Sequence, residues 1–143
     1  MRVTTIRRTF RAVSTLAAAM LVATAAPAQS PATLSLELNK MERLDGACRA
    51  YLVIVNEGGV GLDSFDVDLV TFEPSGVIGS RFRVELAPVP SGRTVVKSFD
   101  FEGVDCNAIH RVLLNDVVHC APLDRDQCLA AIELSTLSVE FFQ

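Results

Sequence analysis

Apolar and polar residues alternate with a period of two along most of the chain beyond residue 32. In the segment TLSLELNK, Leu34, Leu36 and Leu38 are separated by polar residues, and DSFDVDLVTF and IELSTLSVEFF repeat the pattern. A β-strand points successive side chains to opposite faces, so this period predicts strands with one buried face. The segment YLVIV is apolar throughout, which predicts a central strand covered on both faces.

Turn signals separate these segments at intervals typical of small all-β domains. Clusters containing glycine or proline occur at residues 45–46, 56–61, 74–76, 88–92 and 103. They delimit seven predicted strands, at residues 32–43, 47–56, 64–72, 77–87, 93–101, 109–119 and 132–142. The spacing predicts a single antiparallel β-sandwich of immunoglobulin or fibronectin type III kind, with a small barrel as the alternative. Only the segment DQCLAA is expected to form a helical turn.

The first 28 residues have the composition of a cleavable secretory signal peptide. Four arginines and no acidic residue precede an uncharged run from Ala12 to Ala25, and Ala26-Pro27-Ala28 offers a cleavage site. A membrane anchor is the alternative, but it needs about 20 apolar residues. The segment RRTF partly matches the twin-arginine export motif, so the Sec and Tat routes both stay open. The sequence therefore predicts a domain at residues 29–143, exported to the periplasm or the extracellular space.

The charge of the predicted domain limits its partners. It contains nine basic and 17 acidic residues, a net charge of −8. Phosphate backbones would repel such a surface, so nucleic acid is not expected as a partner. The domain also has no long apolar run, so no membrane span is expected beyond residue 28.

The four cysteines, Cys48, Cys106, Cys120 and Cys128, are expected to form two disulfides, as is usual in small exported domains. Three pairings are possible. In the predicted sandwich, the second and sixth strands run in the same direction, which places Cys48 and Cys106 at one end of the domain. Cys120 and Cys128 then close a short loop at the other end. In the loop-entropy model the two bonds contribute about 4 and about 2.5 kcal/mol.

The two histidines do not have the spacing of metal ligands. His110 and His119 are nine residues apart, an odd separation that places them on opposite faces of a strand. Close cysteine spacings such as C-x₂-C are absent from the sequence. We therefore predict no metal site and no cofactor, although copper binding by a histidine together with Met41 is an alternative.

No catalytic residues are predicted. The cysteines are even in number and lack a C-x-x-C motif, and G-x-S-x-G is absent. The glycine-rich segment GGVGLDS leads into a strand rather than a helix, so it is interpreted as a hairpin loop rather than a phosphate site. The sequence favours a non-enzymatic binding module. A metal or redox accessory protein and an enzyme with a dispersed site are the alternatives.

A candidate partner-binding surface lies on the strand in VIGSRFRVEL. We expect Arg81 and Arg83 to project from its solvent face, about 6.6 Å apart, with Arg93 and Lys97 on the antiparallel neighbour enlarging the patch. Such a patch would bind a carboxylate through bidentate contacts, so the expected partner is a periplasmic protein or a small acidic ligand. The residues of this strand expected to face the core are Ile78, Phe82, Val84 and Leu86.

The alternative for the two arginines is a purely structural role. Asp66, Asp68 and Glu85 are expected nearby, and surface ion pairs are common and individually weak. On this interpretation the arginines only form pairs on a solvated face.

Three segments of the domain resemble a family of exported bacterial proteins labelled Tat pathway signal sequence domain proteins. They are NKMERLDGACRAYLVIVNEGG, LVTFEPSGVIGSRFRVELAPVPSGRTVVKSFDFEGVDC and LLNDVVHC. The resemblance implies an exported, cysteine-containing module and implies no chemistry. The arrangement VNEGG…FEPSGVI is also similar, more weakly, to small sandwich domains of fibronectin or FxLYD type.

Overall fold

The structure is a computed structural model that describes residues 33–143. The predicted signal peptide and the predicted start of the domain at residue 29 lie outside the described residues. The described chain is mostly β-structure, as predicted. Its strands are β1 (Leu34–Leu44), β2 (Ala47–Asn56), β3 (Ser64–Phe72), β4 (Ile78–Glu85), β5 (Arg93–Glu102), β6 (Arg111–Ala121), β7 (Ile132–Thr136) and β8 (Glu140–Phe142).

The strands form two mixed sheets of four strands each. Sheet 1 has the order β5-β2-β1-β7, and sheet 2 has the order β4-β3-β6-β8. The pairs β1–β7 and β6–β8 are parallel, and the others are antiparallel. The prediction of a purely antiparallel arrangement is therefore wrong at these two pairs. The cause is a break in the predicted seventh strand, whose two halves join different sheets.

A turn at residues 136–139 produces this break. The hydroxyl of Thr136 donates to the carbonyl of Val139 at 2.7 Å and accepts from the backbone N–H of Ser138 at 3.0 Å. Such a local hydroxyl bond offers the backbone an alternative to the strand ladder. Leu137, at the tip, is 73% exposed, whereas Phe141 in β8 is buried.

The core lies between the sheets and draws on both. In β2 every second residue is fully enclosed, from Cys48 through Ala50 and Leu52 to Ile54. These side chains belong to the same apolar cluster as those of Phe65 and its neighbours from sheet 2. From Arg49 to Val55, the alternate positions of β2 are only partly buried. The prediction that YLVIV is covered on both faces is therefore wrong, since its outer face is open.

A bulge in β4 changes which side of the sheet its first residue occupies. Opposite β3 the register slips by one residue, so that Ile78 rather than Gly79 pairs with Phe72. One extra residue reverses the facing of a strand. Phe82 and Val84 pack on the core as predicted, but Ile78 is 63% exposed on the outer face. The prediction that Ile78 faces the core is wrong for this reason.

Both disulfides join the predicted partners. Cys48 in β2 is bonded to Cys106, with their Cα atoms 4.9 Å apart, and Cys106 lies in a short 3₁₀ turn, Cys106–Ala108, before β6. Cys120 at the end of β6 is bonded to Cys128, with a Cα separation of 6.4 Å. The predicted pairing is confirmed.

The segment after β6 forms helix α1 (Arg125–Ala131), where a helical turn was expected. Asp124 caps the helix by accepting from the N–H of Gln127, whose side chain accepts from the Asp124 N–H in return. This reciprocal pair satisfies two of the free amides at the helix start. Together with the bond from Cys128, it fixes α1 beside β6.

Candidate binding surface on the second sheet

The two candidate arginines of β4 each contact a carboxylate of β3. The Nη2 of Arg81 donates to Asp68 Oδ2 at 2.6 Å, and its Nε donates to Oδ1 at 2.8 Å. The Nη2 of Arg83 donates to Asp66 Oδ2 at 2.8 Å. The bulge-free register of β3 and β4 over this stretch makes these pairs possible, since Asp68 lies opposite Arg83 and Arg81 reaches it diagonally.

In each pair the carboxylate lies beneath the guanidinium. The side chain of Asp68 is 7% exposed and that of Arg81 is 68% exposed. For Asp66 and Arg83 the exposed fractions are 18% and 52%. The outermost layer of this part of sheet 2 is therefore made of arginine, supported from below by recessed carboxylates.

The electrostatics of the two carboxylates follow from these contacts. The hydrogen bonds from Arg81, and to a lesser extent from Asn115, lower the pKa of Asp68 although its burial acts in the opposite direction. Asn115 Nδ2 lies 2.6 Å from Asp68 Oδ2. The pKa of Asp66 is lowered first by the hydrogen bond from Arg83. Both carboxylates are therefore held in their charged form.

His119 belongs to the same cluster, which the sequence pattern does not predict. Its Nδ1 lies 2.7 Å from Arg83 Nη2 and 3.4 Å from Asp66 Oδ2. A guanidinium can only donate, so Arg83 Nη2 donates to Nδ1 in the His119 tautomer whose ring proton lies on Nε2. A bulge in β6 gives His119 its position opposite Asp66. The alternation of β3 alone could not have placed it there.

The other end of this outer face is apolar and aromatic. The rings of Phe72 and Phe142 are 6.0 Å apart, and the Arg111 guanidinium lies 5.2 and 5.1 Å from their centroids. Leu113 pairs with Phe142, and Ile78 pairs with Phe72. We call the whole outer face of sheet 2, from Ile78 to His119, the arginine surface.

The structure does not bring Arg93 and Lys97 to this surface. Both lie in β5, which belongs to sheet 1 and pairs with β2 rather than β4. Lys97 lies in the same phase as the partly buried Phe99, and its Nζ donates to the carbonyl of Ala87 at 2.9 Å. The expected pairing of these two residues with the β4 arginines is wrong, because the connection after β4 crosses to the other sheet.

Residues 33–143 also bear on two other predictions, the absence of a metal site and the absence of a membrane span. No group of three or more His, Cys, Asp or Glu side chains among them is arranged to hold a metal ion. No helix in the same range is long and apolar enough to cross a membrane. His110, the second histidine, is exposed just before β6, and its backbone N–H donates to the Phe72 carbonyl at 2.7 Å.

The chain matches no protein-family model, no curated protein and no solved structure. The resemblance to the exported bacterial family therefore stays a prediction. The disulfides and the geometry of the surface are what bear on function.

Proposed function

We propose that this chain is an exported, non-enzymatic binding module that holds a carboxylate-bearing partner protein on its arginine surface. The observation that carries the proposal is the layered arrangement of Arg81 over Asp68 and Arg83 over Asp66. The recessed carboxylates hold each guanidinium in one orientation, so a partner would lose little side-chain entropy on binding.

Each guanidinium retains donors for a partner. Among residues 33–143, no hydrogen bond uses the Nη1 group of either Arg81 or Arg83. Arginine presents five N–H groups in a rigid fork that matches a carboxylate. The rings of Phe72 and Phe142 lie on the same face, and arginine and aromatic residues are the types enriched at protein interfaces.

Two features support the proposed setting of this module. Two disulfides suggest an oxidising environment outside the cytoplasm, and we propose that the mature protein lies in the periplasm or the extracellular space. The division of β1, β2 and β5 from β3, β4 and β6, with a disulfide from β2 to the start of β6, supports an immunoglobulin-like or fibronectin-like sandwich. Membership of the exported family suggested by the sequence is part of the same proposal.

A defined peptide tests the surface. An alternating Glu-Phe octapeptide offers carboxylates and rings at strand spacing, and an alternating Lys-Phe octapeptide is its matched control. In an NMR titration of the ¹⁵N-labelled protein, we expect the Glu-Phe peptide to shift amides of β3, β4 and β6. The Lys-Phe peptide should leave those amides in place.

The matched variants replace each guanidinium by an ammonium group and so keep the positive charge. Arg81→Lys with Arg83→Lys retains the ion pairs with β3 and removes bidentate contacts, so the dissociation constant should rise about tenfold. Arg93→Lys, on the other sheet, is the control and should change nothing. Equal binding by the double lysine variant, or amide shifts confined to sheet 1, would refute the proposal.

A further inference from the structure

We infer that the outer face of sheet 1 is a second docking surface, and that it takes an extended, lysine- or arginine-bearing segment of a partner protein. The surface, which we call the valine face, consists of three valines bordered by three carboxylates. Its residues are Val53, Val55, Val96, Glu37, Glu57 and Glu133.

The sheet register assembles the valine face. Val53 of β2 lies directly between Glu37 of β1 and Val96 of β5. One row further along, Val55 lies beside Ser35 of β1, and Ser35 in turn lies beside Glu133 of β7. Directly opposed residues point to the same side of a sheet, so an apolar centre and an acidic border share this face.

The apolar centre is accessible. Val96 is 62% exposed, and Val53 and Val55 are partly exposed, although the intervening Leu52 and Ile54 are fully buried. Among residues 33–143, β2 makes its main contacts with its sheet neighbours β1 and β5 and with the short turn that holds Cys106. Exposed β-branched residues in a row offer a partner strand apolar contact at the side-chain spacing of a strand.

The acidic border identifies the chemistry of the occupant. Glu57 and Glu133 line a cleft of about 230 Å³ whose wall includes Val55. Within the described part of the chain, neither carboxylate forms an ion pair, and Glu37 accepts only from the Asn39 amide, at 2.7 Å. A cationic side chain above Val55 would meet two free carboxylates.

Few lysines or arginines of residues 33–143 are available to contact these carboxylates. Of the nine lysines and arginines in residues 33–143, seven form ion pairs with carboxylates of those residues. Arg93 and Lys97 are the two that form no such pair, and the Lys97 ammonium donates to the Ala87 carbonyl, so a second copy offers few free cations to this acidic border. A different polypeptide with free lysine or arginine is therefore the favoured occupant.

The opposite end of the same sheet face serves as an internal contrast. There Arg49 forms a two-point contact with Asp100 at 2.7 and 2.9 Å, and the Tyr51 hydroxyl donates to Glu42 at 2.6 Å. Charges at that end satisfy one another. Glu37, Glu57 and Glu133 form no ion pair among the described residues, which confines the docking surface to the end of the sheet that holds the valine face.

An alternating Lys-Val octapeptide is the probe, and alternating Glu-Val is its control. In an NMR titration of the full mature protein, we expect the Lys-Val peptide to shift amides of β1, β2, β5 and β7, with affinity that falls as salt is raised. Glu57→Gln with Glu133→Gln should raise its dissociation constant about fivefold. The control pair Glu73→Gln with Glu102→Gln, exposed carboxylates elsewhere, should leave it unchanged.

Val96→Thr, which keeps the size of an exposed side chain, should weaken the peptide about threefold by removing apolar contact. The Arg81→Lys, Arg83→Lys variant should bind Lys-Val normally, which separates this surface from the proposed arginine surface. Unchanged affinity in the Glu57→Gln, Glu133→Gln variant would overturn the inference. So would concentration-dependent dimerisation abolished by that variant, since the occupant would then be a second copy.

Discussion

The hydroxyl oxygen of Thr71 lies 2.9 Å from the backbone nitrogen of Ser80 and 3.2 Å from its carbonyl oxygen. The Thr71 hydroxyl therefore accepts from the N–H of Ser80 and donates to its carbonyl. Ser80 is the residue that the β4 bulge leaves out of register. A Cβ on the adjacent Gly79 would lie 3.0 Å from the same hydroxyl oxygen and would force the hydroxyl to shift, so the close approach favours glycine. The contact determines the facing of Ile78 and with it the apolar end of the arginine surface.

Replacing Thr71 by valine should lower the free energy of unfolding by about 1–3 kcal/mol, because it leaves two partly buried backbone groups without a partner. Urea denaturation monitored by circular dichroism measures the change. Thr71→Ser keeps the hydroxyl and is the control, expected to lose clearly less. Equal losses in the two variants would show that the methyl group, rather than the hydrogen bonds, stabilises the bulge.

Asp68→Asn should cost about 1–3 kcal/mol at pH 7, since it removes the charge from a buried carboxylate that accepts from Arg81 and Asn115. The pKa of folded Asp68 lies below its unfolded value of about 3.9. The contribution is therefore complete above that value and is lost as the pH falls through the folded pKa. The difference in stability between wild type and variant should be constant above about pH 5 and shrink below about pH 4.

Glu73→Gln is the control for this pH profile. Glu73 is exposed and forms no ion pair among residues 33–143. The free energy of unfolding of the Glu73→Gln variant should therefore follow that of the wild type within about 0.5 kcal/mol at every pH. A wild-type advantage over Asp68→Asn that persists undiminished at pH 2 would mean that packing, rather than charge, explains the loss.

The two disulfides should differ in their effect on stability. Replacing Cys48 and Cys106 by alanine opens a closure of 58 residues, worth about 4 kcal/mol, whereas Cys120 and Cys128 span only 8 residues, worth about 2.5 kcal/mol. Denaturant unfolding of the two double variants measures this order. Thiol titration of the denatured, unreduced wild type should detect no free cysteine, and detection of a full equivalent would contradict the pairing.

Processing at the predicted site would leave Gln29 as the first residue of the exported protein. Intact-mass measurement of protein recovered from the periplasm checks this expectation. Replacing Ala26 and Ala28 by bulky residues should block cleavage and leave the precursor on the membrane, whereas Arg7→Lys with Arg8→Lys should stop export only on the Tat route.

Much of this fold follows from local patterns in the sequence. Alternation in segments such as TLSLELNK is sufficient to place β1, because burying Leu34, Leu36 and Leu38 determines its facing. The disulfide pairing also followed from the predicted strand directions, since Cys48 lies at the start of β2 and Cys106 lies just before β6. The carboxylates that contact Arg81 and Arg83 were foreseen among the structural alternatives.

The remainder depends on long-range geometry that alternation does not encode. A single slip at Gly79 moves Ile78 to the other side of its sheet, and the glycine within the strand was the available signal. The choice of β5 to pair with β2 separates Arg93 and Lys97 from β4, and no local feature specifies that choice. His119 joined the surface through bulges in β6 that strict period two excludes.

Residues 132–142 complete both sheets, and this imposes an order on folding. β7 lies against β1, its partner 98 residues away in sequence, and β8 adds the last strand of sheet 2. A chain synthesised amino end first presents β1 long before β7 emerges. Neither sheet reaches its full width until residues 132–142 have left the ribosome, so the slow closure of these distant contacts comes late in synthesis.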